Sequence, residues 1–285
     1  MDTAIFQILN SLTLISILLL VSIGLTITFG LLGIINLAHG EFFMLGAYTV
    51  VIGGEIGLPI FVTLIATPFV VGAFGALVEQ TIIKRLYTRP LDTLLATWGL
   101  SLVVRQVVLI VFGARQRGSD ALFSGTVPIL GVDYPAYRLF IMAMAVAVAT
   151  AFFVWVYRSD FGVKLRAVIF NRDMARAIGV NTRRVDRTTF AVGAAIAGLA
   201  GAVIAPLGTI NPNMGLSWLI DSFLVVIVGG QAASGAVFGA AFIGGSESTL
   251  AFSMQPVVAS VLVLVFAIVA LRLRPQGLAG TGSRS

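Results

Sequence analysis

Nine apolar stretches follow one another along this chain, at 8–35, 41–54, 58–83, 93–113, 137–157, 189–205, 219–229, 235–252 and 256–271. Few folds tolerate that pattern. An apolar segment of roughly 17–25 residues spans a hydrocarbon layer about 30 Å thick as a helix. Lipid offers a backbone amide no partner, so only helices or a closed barrel can cross it. These stretches are too long and too continuous for barrel strands of about 10 alternating residues. The chain is 58% hydrophobic and only 11% charged, with a mean hydropathy of +1.04, whereas soluble domains are about 25% charged. The expected class is all-α: a polytopic transmembrane helical bundle of about 8 spans, with residues 1–285 forming one transmembrane domain.

Charge placement orients such a bundle. Residues 158–188 hold 8 of the 18 basic residues and 3 of the 12 acidic ones, and cytoplasmic loops collect Lys and Arg. Lys84, Arg85 and Arg89, and the tail from Arg272 and Arg274 onward, pull to the same side. The net charge of +6 therefore reflects topology, and no nucleic-acid partner is expected. Residues 114–136, rich in turn formers, and the uncharged 206–218 fit the outside. No cleavable signal is expected, because Asp2 stands where a basic region should be. Counted as one span, 8–35 puts the N-terminus outside.

From the basic loop to the basic tail the chain must cross an even number of times, which requires splitting 219–252 at Gly229-Gly230. Yet 219–229 is about 16 Å of helix at 1.5 Å per residue, half a membrane. A broken helix near 219–234 is expected, with non-helical chain completing the crossing. A counterpart near 30–41 lies in the glycine-punctuated run Gly24–Gly46, interrupted by Asn36, His39 and Glu41. Paired interrupted segments in the two halves of a transporter point to its substrate path. Gly193, Ala197 and Gly201, like Gly235 and Gly239, have the small-residue spacing of close helix packing.

Polar groups inside the spans are few. Arg105 lies too deep to reach water and needs a partner, with Glu79 and Glu41 as candidates; a structural ion pair is the favoured reading over a solute contact. His39, the only histidine, lacks co-ligands for a metal, and its ring is expected to bond a backbone group where 24–54 bends, with Asn36 and Glu41 serving the same bend. Asp221 and Ser222 open the 219–229 helix and read as an N-cap. Glu247 with Ser246 and Ser248 forms a polar spot. No cysteine, no Ser/His/Asp spacing and no phosphate-binding loop is present, so no catalytic site, metal or cofactor is expected, and the chain cannot hydrolyse ATP by itself.

Gly33-Ile-Ile-Asn36-Leu-Ala-His39-Gly40-Glu41-Phe-Phe-Met-Leu-Gly46-Ala-Tyr48 resembles the signature of the branched-chain amino acid ABC importer permeases, and the likeness runs through nearly the whole chain. Arg166–Asn181 is similar to their cytoplasmic coupling segment, Gly193–Ala202 to the helix that follows, and Arg274-Pro275-Gln-Gly277-Leu to their ending. Within that family, Leu94–Leu102, Ile220–Gly230 and Asn171–Ala175 look closer to a urea or short-chain amide subgroup.

The resemblance implies an integral subunit of the bacterial cytoplasmic membrane, paired with a second permease, usually as a heterodimer. A periplasmic solute-binding protein serves it from outside and two ATP-binding subunits from below. Within the 158–188 loop, Arg166, Phe170, Asn171, Arg172, Met174, Ala175 and Gly179 are then the candidates for gripping the ATPase. The translocation path is assigned to Asn36, His39, Glu41, Thr97, Trp98, Gln106, Asp221, Ser222, Gln231 and Glu247. The subgroup likeness makes urea or a short-chain amide the expected solute; amides and hydroxyls would suffice for it, while Glu41 and Glu247 keep zwitterionic branched-chain amino acids open, so the path groups do not decide. A stand-alone secondary transporter or channel is the rival class, and an intramembrane enzyme the weakest.

Overall fold

The computed structural model describes residues 2–87, 89–230, 232–274 and 277–279. Helix α1 (Asp2–Leu25) passes directly into a π-helical turn (Thr26–Leu31). There follow α2 (His39–Glu55), α3 (Ile60–Thr81), α4 (Pro90–Phe112), a hairpin of β1 (Thr126–Ile129) and β2 (Val132–Pro135), and α5 (Ala136–Arg158). Two short helices, α6 (Asp160–Phe170) and α7 (Arg172–Ala177), precede α8 (Thr182–Ile204), α9 (Met214–Gly229), α10 (Gly235–Ser253) and α11 (Pro256–Leu273). Five rods are long and apolar enough to cross a membrane: α1 with its π turn, α3, α4, α5 and α8, the last ending in a short 3₁₀ turn. Helices α2, α9, α10 and α11 complete a polytopic all-α bundle.

The two ends of the bundle are chemically distinct. At one, Arg117 and Ile210 exchange backbone hydrogen bonds of 2.9 and 2.8 Å, joining the two stretches expected outside. The hairpin belongs to this end, its strands antiparallel with Thr126 opposite Pro135 and closed by Leu130 and Gly131, both at positive φ as a two-residue turn matched to strand twist requires. Tyr134 on β2 reaches Thr13 (2.9 Å) and Asn10 (3.1 Å), so α1 starts at this same end. The opposite end carries α6, α7, Lys84 and Arg85.

Helix α8 packs against α1, α2 and α3 at the centre, through small residues. A Cβ at Gly201 would strike the Phe43 carbonyl, and one at Gly193 would lie 3.0 Å from the Gly24 carbonyl. Close approach of backbones gains dispersion contact where lipid gives no hydrophobic drive.

Two helices start inside the bundle. Residues 32–38 are non-helical, and α2 begins at His39, which touches the level of Gly24; Gly24 in turn abuts Gly193 and Ala197, the middle of α8. Helix α9 follows a second non-helical stretch, 208–213, and crosses α2 where Gly40 meets Gly215: a Cβ on either would hit the other's carbonyl. The start of α9 differs from expectation. It opens at Met214 instead of 219, giving 16 residues, about 24 Å of rise. The break expected at Gly229-Gly230 is present, so non-helical chain flanks α9 on both sides, at 208–213 and at 230 and 232–234. Asn211 Oδ1 accepts from Asn213 N (2.9 Å) and turns the chain before the helix, a local signal that the apolar count overlooks. The other end stops at Gly230 (φ 90°), where Leu278 N donates to Val228 O (2.8 Å) and Ala279 N to Gly229 O (2.9 Å).

Candidate functional site

The non-helical stretch before α2 is held by side chains from its neighbours. Asn36 Oδ1 accepts from Ala38 N (3.1 Å) and forms a local turn. Thr97 on α4 accepts from Leu37 N (3.1 Å) and donates toward Ile35 O (3.3 Å). His39 Nε2 meets Val21 O at 3.1 Å. These bonds replace the ladder that a continuous helix would have supplied.

Beside this turn sits an ion pair. Arg105 Nη2 donates to Glu41 Oε1 at 2.6 Å, and Ser101 Oγ donates to the same oxygen at 2.9 Å. The Glu41 side chain is 2% exposed and that of Arg105 20%. Of the two partners expected for Arg105, Glu41 is the one; Glu79 instead accepts from Tyr87 (3.3 Å). Ser101 was legible in principle, four residues before Arg105 and so on the same helical face. Several buried polar atoms here have no partner among the described residues: Asn36 Nδ2, His39 Nδ1, Glu41 Oε2 and Arg105 Nε. Buried polar atoms are nearly always satisfied, so this cluster has spare capacity for water or a polar solute.

The remaining path candidates lie elsewhere. Trp98 and Gln106 point outward from α4 and are exposed. Asp221 and Ser222 do not cap α9, because the helix begins seven residues earlier; Ser222 Oγ donates to Leu219 O (2.8 Å) inside it. Asp221 and Glu247 are each partly buried and close enough to act on each other electrostatically. Ser248 bonds Ser11 (2.8 Å) and Gln7 on α1. Gln231 lies outside the described residues, as do Pro275 and Gln276 of the C-terminal motif. Among the described residues no group of three or more His, Asp or Glu is placed to hold a metal.

At the basic end of the bundle α6 and α7 form a folded element. Ser159 and Asn171 cap them, accepting from Gly162 N and Met174 N at 2.9 Å each. Helix α7 closes with Val180 N to Ala175 O (2.9 Å) around Gly179 at φ 87°, the left-handed cap that glycine favours. Arg172 forks onto Asp186 (2.9 and 2.8 Å) and lies 5.0 Å over the Tyr87 ring. Burial, with the Asp186 and Glu79 charges, pushes the Tyr87 phenol above its ordinary range, so it remains a donor. Arg166 donates to Val156 O and lies 5.7 Å over Tyr157. Arg166 and Arg172, expected to face an ATPase, thus tie the element to its own bundle, and Ala175 is buried beneath it. Three large apolar side chains also face outward, among the exposed Asn171, Asp173 and Arg176: Phe170 is 94% exposed, Met174 61% and Ile178 70%.

Residues 7–271 match the family described as branched-chain amino acid transport system / permease component. The chain belongs to that family. It is similar to the high-affinity branched-chain amino acid transport system permease protein LivH of Escherichia coli, 28% identical over 96% of this chain and 94% of that one. BraD of Pseudomonas aeruginosa, with the same description, is 26% identical over 96% and 95%. The LivM permease protein of Escherichia coli is 26% identical over 81% of this chain and 60% of its own length. No solved structure matches. This permease is therefore a transport component and a multi-pass protein of the cytoplasmic membrane.

Proposed function

We propose that this permease is one of two membrane subunits in a binding-protein-dependent ABC importer, and that its solutes are branched-chain amino acids. The substrate reading rests on the full-length likeness to LivH and BraD, whose descriptions name that cargo. The urea subgroup expected from residues 94–102 and 220–230 finds no support among these relatives. Escherichia coli has both LivH and LivM, and likeness to both favours a heterodimeric permease pair. In this reading the Asn36–Glu41 turn and its unsatisfied polar atoms line the passage. Phe170, Met174 and Ile178, three apolar side chains left uncovered at the cytoplasmic end, seat the ATPase. Three large apolar side chains exposed within one short element suit a docking surface better than a solvated one.

The test is reconstitution with both permeases, the ATP-binding subunits and the solute-binding protein. Leucine uptake should require ATP and exceed urea uptake. The triple variant F170A/M174A/I178A should abolish uptake while the ATP-binding subunits still hydrolyse ATP. Uptake that proceeds without ATP, or of urea in preference to leucine, would refute the proposal.

A further inference from the structure

The end of the bundle that carries the β1–β2 hairpin contains a cleft in two adjoining parts. One, of about 440 Å³, is lined by Gln7, Asn10, Thr13 and Ser248. The other, of about 310 Å³, is walled by Ile204, Met214 and Trp218. Ile17, Arg138 and Leu207 line both, so the Arg138 guanidinium stands at the junction.

Arg138 is unusually placed. It occupies the first turn of α5, where the helix dipole is positive and a cation is disfavoured. Its nearest polar partner is neutral, Asn10 Oδ1 at 2.7 Å, and it lies 5.9 Å over the Tyr134 ring. Among the described residues no carboxylate pairs with it, whereas Arg117 at the same end is paired with Glu55. A fork-shaped cation without an anion, held in a cleft, suits a planar carboxylate.

We propose that this cleft is an entry site for an amino acid with an apolar side chain, its α-carboxylate held by Arg138. The ammonium faces the oxygens of Gln7, Asn10 and Ser248. The hydrocarbon side chain enters the chamber of Ile17, Ile204, Met214 and Trp218, which is small, apolar and contiguous with the cation. A neutral solute such as urea would leave the guanidinium unanswered. The inference rests on the branched-chain reading above.

The test uses the assembled importer in proteoliposomes, with leucine delivered by its binding protein. Arg138→Gln should lower leucine uptake about tenfold, as losing one charge-assisted contact would, with ATP hydrolysis and assembly intact. Arg138→Lys should retain a third or more of the wild-type rate. If Arg138→Gln fails to assemble, Met214→Trp, which fills the chamber, should lower leucine uptake at least fivefold. Wild-type complex that carries no leucine sinks the functional reading. Wild-type uptake with Arg138→Gln or Met214→Trp unchanged sinks this site alone. A phospholipid headgroup is the competing anion. If wild-type uptake falls to the Arg138→Gln level in vesicles of phosphatidylcholine without phosphatidylglycerol, the cleft holds lipid and the proposal is overturned.

Discussion

Neutralising Glu41 should be costly in a way that a second substitution repairs. In Glu41→Gln the Arg105 cation keeps its place but loses its counter-charge 2.6 Å away. Removing one partner of a buried ion pair costs about 3–5 kcal/mol, whereas replacing both is far milder. Arg105 retains some access to solvent, at 20% exposure against 2% for Glu41, which places the loss near the low end, about 3 kcal/mol. The double variant E41Q/R105Q should regain most of that, because two neutral amides can still bond each other and Ser101. The coupling energy expected is at least about 1.5 kcal/mol, within the range for groups in one network. Unfolding of the purified permease in mixed micelles, followed by helical circular dichroism across the four-protein cycle, measures it. Strictly additive losses, with coupling under about 0.5 kcal/mol, would show that the pair is not what joins α4 to α2.

Two further outcomes follow from the packing. Gly201→Val should prevent stable folding, since its Cβ has no room against the Phe43 carbonyl, while Gly99→Ala on α4, with nothing within 4 Å, should be neutral or gain up to about 1 kcal/mol; yields of monodisperse protein from the membrane distinguish them. Gly179→Val forces a branched residue into φ 87° at a strain of about 1–3 kcal/mol, and should distort α7 so that ATP hydrolysis continues while solute uptake falls, read by measuring both in one vesicle preparation.

The spans were legible because hydrocarbon thickness imposes a length on any apolar helix, and the gathering of the basic segments at one end because charges are excluded from the spans. Both interrupted regions were visible for a related reason: Asn36, His39 and Glu41, and the shortness of the apolar run after 219, break the rule that governs everything around them. The partner of Arg105 was not legible, because choosing between Glu41 and Glu79 requires the rotation of three helices about their axes. Asp221 was misread as a cap because α9 continues through less apolar residues once its backbone has neighbours to shield it. The contacts of Arg172 within its own bundle were hidden for a different reason. A charge in a loop looks solvated until a partner distant in sequence, here Asp186, turns it inward. Arg138 gave no sequence signal at all; its significance lies in what fails to pair with it.

The closure of α9 by residues 277–279 bears on biogenesis. The carbonyls of Val228 and Gly229 wait for donors made about 50 residues later, after two more helices, α10 and α11, have been synthesised. Until those donors emerge from the ribosome, the inner mouth of that helix is unfinished, and quality-control proteases have an open seam to recognise. Nascent chains halted before this point should be short-lived even though every helix has already been synthesised.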